Sequence, residues 1–268
     1  MLDLSFLDER KDGMKNIMAE AEAVDVNCMI GRGIEVAYAF ETARDLAKQL
    51  KKHHVAKAVV ANLMALNWNL KDGNEQLLTE TGKIKNLIPC PILSPHLGTS
   101  EMPSAKDLTT MLRRHRISAV KAYPAKANYL LDTFYAGKLL AILEEFRIPL
   151  LLEWDQVDKS SLPAVTAAFP HLPFILLFAG FRASRTMYPL LEKRENVFFD
   201  TSRFADYKIL EEIVSLFGAD RLLFGSGMPC YHPGPAITLV CLADISEMNQ
   251  RLILSGNWNR LAGGVQWN

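Results

Sequence analysis

The sequence predicts an α/β fold, a (β/α)8 TIM barrel, on three observations. Eight short apolar runs alternate with segments of helical periodicity from about residue 23 to residue 264. Runs such as 148–152 (IPLLL) and 173–178 (PFILLF) are apolar at almost every position, as strands of a parallel sheet covered by helices must be. The length of 268 residues matches the roughly 250 residues of such a barrel. One domain over 1–268 follows, with the barrel proper over about 23–264 and an N-terminal extension over 1–22. A doubly wound open sheet would prefer a Gly-rich phosphate loop after its first strand, and GRG at 31–33 does not match GxGxxG.

The expected strands are 23–30, 55–63, 87–93, 117–123, 148–154, 173–178, 196–201 and 221–226. Helices are expected over 40–53, 74–85, 104–115, 133–146, 161–169, 184–193, 206–217, 236–245 and 250–254. Ser104 is suited to cap its helix, Pro163 to a first helical turn, and Gly218 to a helix end.

Composition narrows the function classes. A chain 49% hydrophobic and 22% charged has the balance of a folded globular protein rather than a disordered one. Thirty basic residues against thirty acidic ones leave no electrostatic footprint for nucleic acid or an anionic membrane. No apolar run approaches the roughly 20 residues needed to span a bilayer. The N-terminus is charged early and has no apolar h-region, so no signal peptide is expected. Cys28, Cys90, Cys230 and Cys241 are widely spaced and read as reduced thiols of a cytoplasmic protein. The expected partner is a small-molecule ligand, and a homo-oligomer is compatible with the composition.

Functional groups of a (β/α)8 barrel sit where strands end and βα loops begin. That rule selects Asn27 and Met29 after strand one, His96 after strand three, and Lys121 and Tyr123 on strand four. It adds Glu153, Trp154 and Asp155 on strand five, Phe178 on six, Asp200, Ser202 and Arg203 on seven, and Ser226, Gly227, Cys230, Tyr231 and His232 on eight. His53, His54, His115 and His171 fall at the opposite face, which leaves His96 and His232 as the histidines placed for chemistry.

Four segments then carry a resemblance. VDVNCMIG at 24–31 resembles an opening strand of the form hydrophobic-Asp-x-His-x-His-x-Gly, and FPHLPFILLFAGF at 169–181 resembles a run ending in His-x-Gly-Gly. RLLFGSGMP at 221–229 is similar to Arg-hydrophobic-hydrophobic-Phe-Gly-Ser-Asp-x-Pro, and NWNRLAG at 257–263 to a closing Asn-x-x-Arg-Leu segment. In this order they resemble the amidohydrolase-related TIM-barrel hydrolases and decarboxylases, over roughly residues 24–264. The resemblance implies a divalent metal held by the paired His, a middle-strand His and the strand-eight Asp. Those places carry Asn27, Met29, Phe178 and Gly227 here, and the strand-five position, often His, carries Glu153. Zinc-like ions need imidazole, thiolate or carboxylate donors. No metal and no cofactor is therefore expected, a loosely held hard cation on Glu153 aside.

The leading expectation is a hydrolase or lyase acting without the family metal on a small carboxylated or cyclic substrate. Glu153, with a pKa raised by burial, is its general base, Lys121 its electrostatic partner and His232 its proton donor. Asn27, Met29, His96, Tyr123, Trp154, Phe178, Asp200, Arg203 and Cys230 would bind substrate, with Arg203 or Arg182 holding a carboxylate and Cys230 a candidate nucleophile. A Glu153–Lys121 salt bridge that only caps the barrel core is an equal reading of that pair. Two other functions stay open: a catalytically inactive descendant that binds a small molecule or a protein partner, and a metallohydrolase with a relocated Glu153, His96 and His232 site.

Overall fold

A computed structural model describes residues 5–34 and 37–267. Among them eight strands run in chain order: β1 (Val24–Ile30), β2 (Lys57–Asn62), β3 (Leu87–Pro89), β4 (Val120–Ala122), β5 (Leu150–Glu153), β6 (Phe174–Leu177), β7 (Val197–Asp200) and β8 (Leu222–Leu223). β1 to β3 form one sheet and β4 to β8 another, each in sequential order. Every strand pair is parallel. Two bridges close the ring, Ile92 with Lys121 and Cys28 with Met228. Bonds from Val26 N to Phe224 O (2.9 Å) and from Met29 N to Met228 O (2.8 Å) continue the β1–β8 seam. The (β/α)8 barrel expected from periodicity is the fold observed.

The helices are α1 (Ser5–Glu20), α2 (Ala43–Lys52), α3 (Leu63–Asn67), α4 (Leu70–Thr81), α5 (Ala105–Arg114) and α6 (Gly137–Phe146), followed by α7 (Leu162–Ala168), α8 (Ser184–Lys193), α9 (Ile209–Phe217), α10 (Gly234–Cys241), α11 (Glu247–Arg251) and α12 (Asn257–Gly263). Thr42, Asn69 and Ser104 accept a backbone N–H three residues on, which satisfies one of the free donors of each first turn. Gly73 lets α4 lie directly on α3, because a Cβ there would stand 2.0 Å from Ala65 N.

The structure differs from the sequence reading in extent more than in kind. α1 occupies the extension over 1–22, where no element was expected, and it packs against α10. The regular strand β8 has only two residues, and Phe224 and Gly227 continue beside β1 through bonds from Val26 N to Phe224 O and from Gly227 N to Asn27 O. The helix expected over 133–146 begins at Gly137, and Phe134 and Tyr135 stand exposed in the loop before it. Residues 250–254 cross from α11 into a π-helical turn over Leu252–Gly256.

The interior is layered along the barrel axis. Its lower part is apolar, with Val24, Val59, Leu151, Ile175 and Phe198 in one cluster that Trp258 and Leu261 of α12 join. The closing motif thus has a structural task. Asn257 Nδ2 donates to Ala219 O and Leu222 O, both at 2.8 Å, which pins α12 to the β8 entry. The polar layer described next lies above this plug, toward the C-terminal ends of the strands.

Candidate active site

Strands β1, β4, β5 and β7 supply a buried polar layer. Asn27 and Asp200 face each other across the β1–β7 side, with Asn27 Nδ2 donating to Asp200 Oδ2 at 3.0 Å. Ser202 Oγ and Phe178 N donate to the same carboxylate. Lys121 Nζ donates to Asn27 Oδ1 at 3.4 Å and pairs with Glu153 Oε1 at 2.9 Å. Tyr123 OH donates to that Oε1 as well, at 2.8 Å. Asn27 therefore holds one orientation, its oxygen toward the ammonium and its amide toward the carboxylate.

Burial decides which of these groups meets solvent. Lys121 is 2% exposed and Asp200 0%, whereas the Glu153 side chain is 21% exposed. Lys121 and Tyr123 both bind Oε1, so Oε2 is left without a hydrogen bond among the described residues. Burial pushes the Tyr123 hydroxyl well above its ordinary value, and the Glu153 charge adds to that, so the phenol stays a donor. Burial likewise raises Asp200 to about 6, against the three donors that favour its ionised form. Asp25, wholly buried, accepts from Asn27 N and Ser226 N at 3.0 Å each and ties β1 to the strand-eight loop. Burial raises its carboxyl too.

The mouth above this layer is capped by apolar groups. Tyr123 OH lies 3.6 Å from Met29 Sδ. Phe178 takes a left-handed backbone at φ +60° and stacks 5.6 Å from Tyr231. Gly227 lies beneath both rings at φ +78°, and a Cβ there would stand 2.6 Å from Phe178 Cε1 and 2.9 Å from Tyr231 Cδ2. The Phe178 ring fills the room a side chain at 227 would need.

Other expected site residues are placed elsewhere. Trp154 alternates outward from Glu153 and lies 5.9 Å from Phe199, with Lys159 over its ring, between barrel and helices. His96 is exposed, and its carbonyl accepts from Thr99 Oγ1. His232 turns away from Glu153: its ring meets His53 edge-on at 5.1 Å, and its Nδ1 accepts from Gly234 N. His53, expected at the opposite face of the barrel, is therefore a direct neighbour of His232. Arg203 lies at the exposed rim, 5.6 Å above the Tyr231 ring. Burial raises the Cys230 thiol despite its bond with Tyr38, which removes thiolate character from that candidate nucleophile. Asn27, Lys121, Tyr123, Glu153 and Asp200 do come together. Ser202, which the strand-end rule reaches, and Asp25, which it does not because Asp25 lies near the start of β1, belong to the same network.

An eight-stranded parallel barrel with its polar groups at the C-terminal strand ends is the architecture of a TIM-barrel enzyme class. Residues 99–261 match the family model described as Amidohydrolase, and the chain belongs to that family. None of the curated proteins matches it. Among solved structures it is similar to 2,6-dihydroxybenzoate decarboxylase from Rhizobium, at 14% identity and TM-score 0.72 over 90% of this chain and 98% of that one. A candidate 2-pyrone-4,6-dicarboxylic acid hydrolase from Pseudomonas putida is similar at 16% identity and TM-score 0.70, over 90% and 97%. A dihydroxybenzoic acid decarboxylase from Polaromonas, with bound manganese, is similar at 13% identity and TM-score 0.70, over 90% and 96%.

A divalent metal of that kind does not fit the residues here. The centre of the polar layer already holds a cation, the Lys121 ammonium, within reach of both the Asn27 and the Glu153 oxygens. At the motif positions the donors are an amide and a thioether, with a phenyl ring and a glycine in the other two places. Among the described residues no three of His, Cys, Asp and Glu come together as a ligand set.

Proposed function

We propose that this amidohydrolase-family protein is a hydrolase-like enzyme that acts on a small carboxylated or cyclic substrate without a bound metal. One observation carries the reading: Glu153 has Oε1 held by Lys121 and Tyr123, while Oε2 has no hydrogen bond among the described residues and the side chain is 21% exposed. A carboxylate oriented in this way is equipped for proton transfer. Glu153 Oε2 takes a proton from an attacking water as its oxygen bonds to the substrate carbonyl carbon. The same proton then leaves with the departing oxygen as the tetrahedral carbon collapses. Lys121 and Tyr123 are positioning residues, buried behind Glu153 and holding its charge in place.

The decisive variant is Glu153→Gln, which keeps size and the Oε1 acceptor but removes the base. With purified protein and a panel of lactones, esters and aromatic carboxylates, turnover of any active compound should fall at least about a hundredfold. Circular dichroism should be unchanged. Undiminished turnover would remove Glu153 from the reaction.

A second reading, a non-catalytic descendant that binds a small molecule or a partner, draws support from the Phe178 ring over Gly227. It expects ligand-dependent thermal shifts with no turnover anywhere in the panel.

A further inference from the structure

On the outer face of the barrel, α7 and α8 flank a groove of about 340 Å³. Lys159, Arg185, Lys193 and Arg194 line it, and no carboxylate does. In a chain with 30 basic and 30 acidic residues this is a local excess of charge. Two of the cations are committed. Arg194 donates to Pro163 O, and Lys159 lies 5.3 Å over the Trp154 ring. Arg185 and Lys193 are exposed and have no ion-pair partner among the described residues. Of the neighbouring carboxylates, Asp158 accepts from Ser160 and Glu195 faces Arg221, while Glu192, beside Lys193 on α8, does not line the groove.

The spacing is informative. Arg185 and Lys193 stand on one helix eight positions apart, with Pro189 midway, so they lie along one face about 12 Å from each other. An extended peptide covers that distance in about four residues. Between the two cations the groove presents the exposed rings of Pro163 and Pro189.

We propose that the α7–α8 groove docks an acidic segment of a partner protein in extended form. Carboxylates about four residues apart reach Arg185 and Lys193, and an apolar side chain between them rests on the two prolines. A nucleic acid would call for a longer basic stripe following regularly spaced phosphates, without an apolar floor. The surface lies outside the Glu153 site, so its fate is separate from that of the catalytic reading.

The test is fluorescence anisotropy of the full chain with a fluorescein-labelled peptide, Glu-Glu-Leu-Pro-Leu-Glu-Glu. Binding should weaken as salt rises past about 0.1 M, and the R185E/K193E variant should lose affinity about tenfold or more. The peptide with every Glu replaced by Lys should not bind. Absence of binding to the acidic peptide, or equal binding by the variant with an unchanged circular dichroism spectrum, overturns the proposal. So does displacement of the peptide by inorganic phosphate or by a short single-stranded oligonucleotide at equal concentration.

Discussion

The pairing of Phe178 with Gly227 makes a quantitative prediction. Gly227→Ala places a Cβ 2.6 Å from Phe178 Cε1 and 2.9 Å from Tyr231 Cδ2, both far inside contact distance, at a backbone φ of +78°. Overpacking of this kind costs about 1–3 kcal/mol, and an L residue in the left-handed region adds about 1–2 kcal/mol. The single variant should therefore lose about 3 kcal/mol. Phe178→Ala removes a ring that is only partly buried, so its loss should lie near the lower end of the range for such truncations, about 3 kcal/mol. In the double variant the vacated ring space accepts the new methyl group, while the left-handed strain and the Tyr231 contact persist. The losses should then be sub-additive by about 1–2 kcal/mol. Urea unfolding followed by circular dichroism on the four proteins measures this coupling. Additivity within about 0.5 kcal/mol would show that the ring and the glycine are independent, and the plugged-mouth argument would fail.

Three further outcomes follow from the polar layer and the caps. Lys121→Met leaves Glu153 without its cation; because Glu153 is 21% exposed, the loss should be about 2 kcal/mol rather than the 3–5 of a fully buried pair, and Lys121→Met/Glu153→Gln should recover part of it in the same unfolding assay. Asp200 binds its proton more tightly in the native state, at about 6 against an ordinary 3.8. The native state then holds more protons between those values, so this group's contribution to stability falls as pH rises from about 4 to 6, by about 3 kcal/mol, and is level above. The wild-type minus Asp200→Asn difference in unfolding free energy across that range reads it, and a flat difference would contradict the burial argument. Ser104→Ala should cost about 1 kcal/mol through loss of the α5 cap, measured as a lowered urea midpoint with unchanged slope.

Much of the site was legible as position and little of it as contact. Period and strand order placed Asn27, Lys121, Tyr123, Glu153 and Asp200 at strand ends, and the structure brings these five into one layer. Trp154 lies outside the site because strand alternation turns it outward when Glu153 turns in. His232 lies outside it because a loop residue's direction is not set by any period, and its ring meets His53. α1 is not legible in the sequence because the extension offers charge without a clear apolar stripe, and its docking on α10 depends on a neighbour more than two hundred residues away.

The sequence by itself determined the parallel barrel, through continuously apolar strands at regular intervals. It determined also which chemical groups stand at the family's ligand positions, since residue identity needs no folding to be read. Tertiary structure alone decided that the Lys121 ammonium lies between Asn27 and Glu153, that Asp200 is sealed among donors, and that Phe178 occupies the room above Gly227. Those are relations across strands from 27 to 227, and they depend on distances of a few ångströms that no local pattern encodes. Charge, burial and hydrogen bonding act only over such distances, and only the closed barrel brings those residues within them.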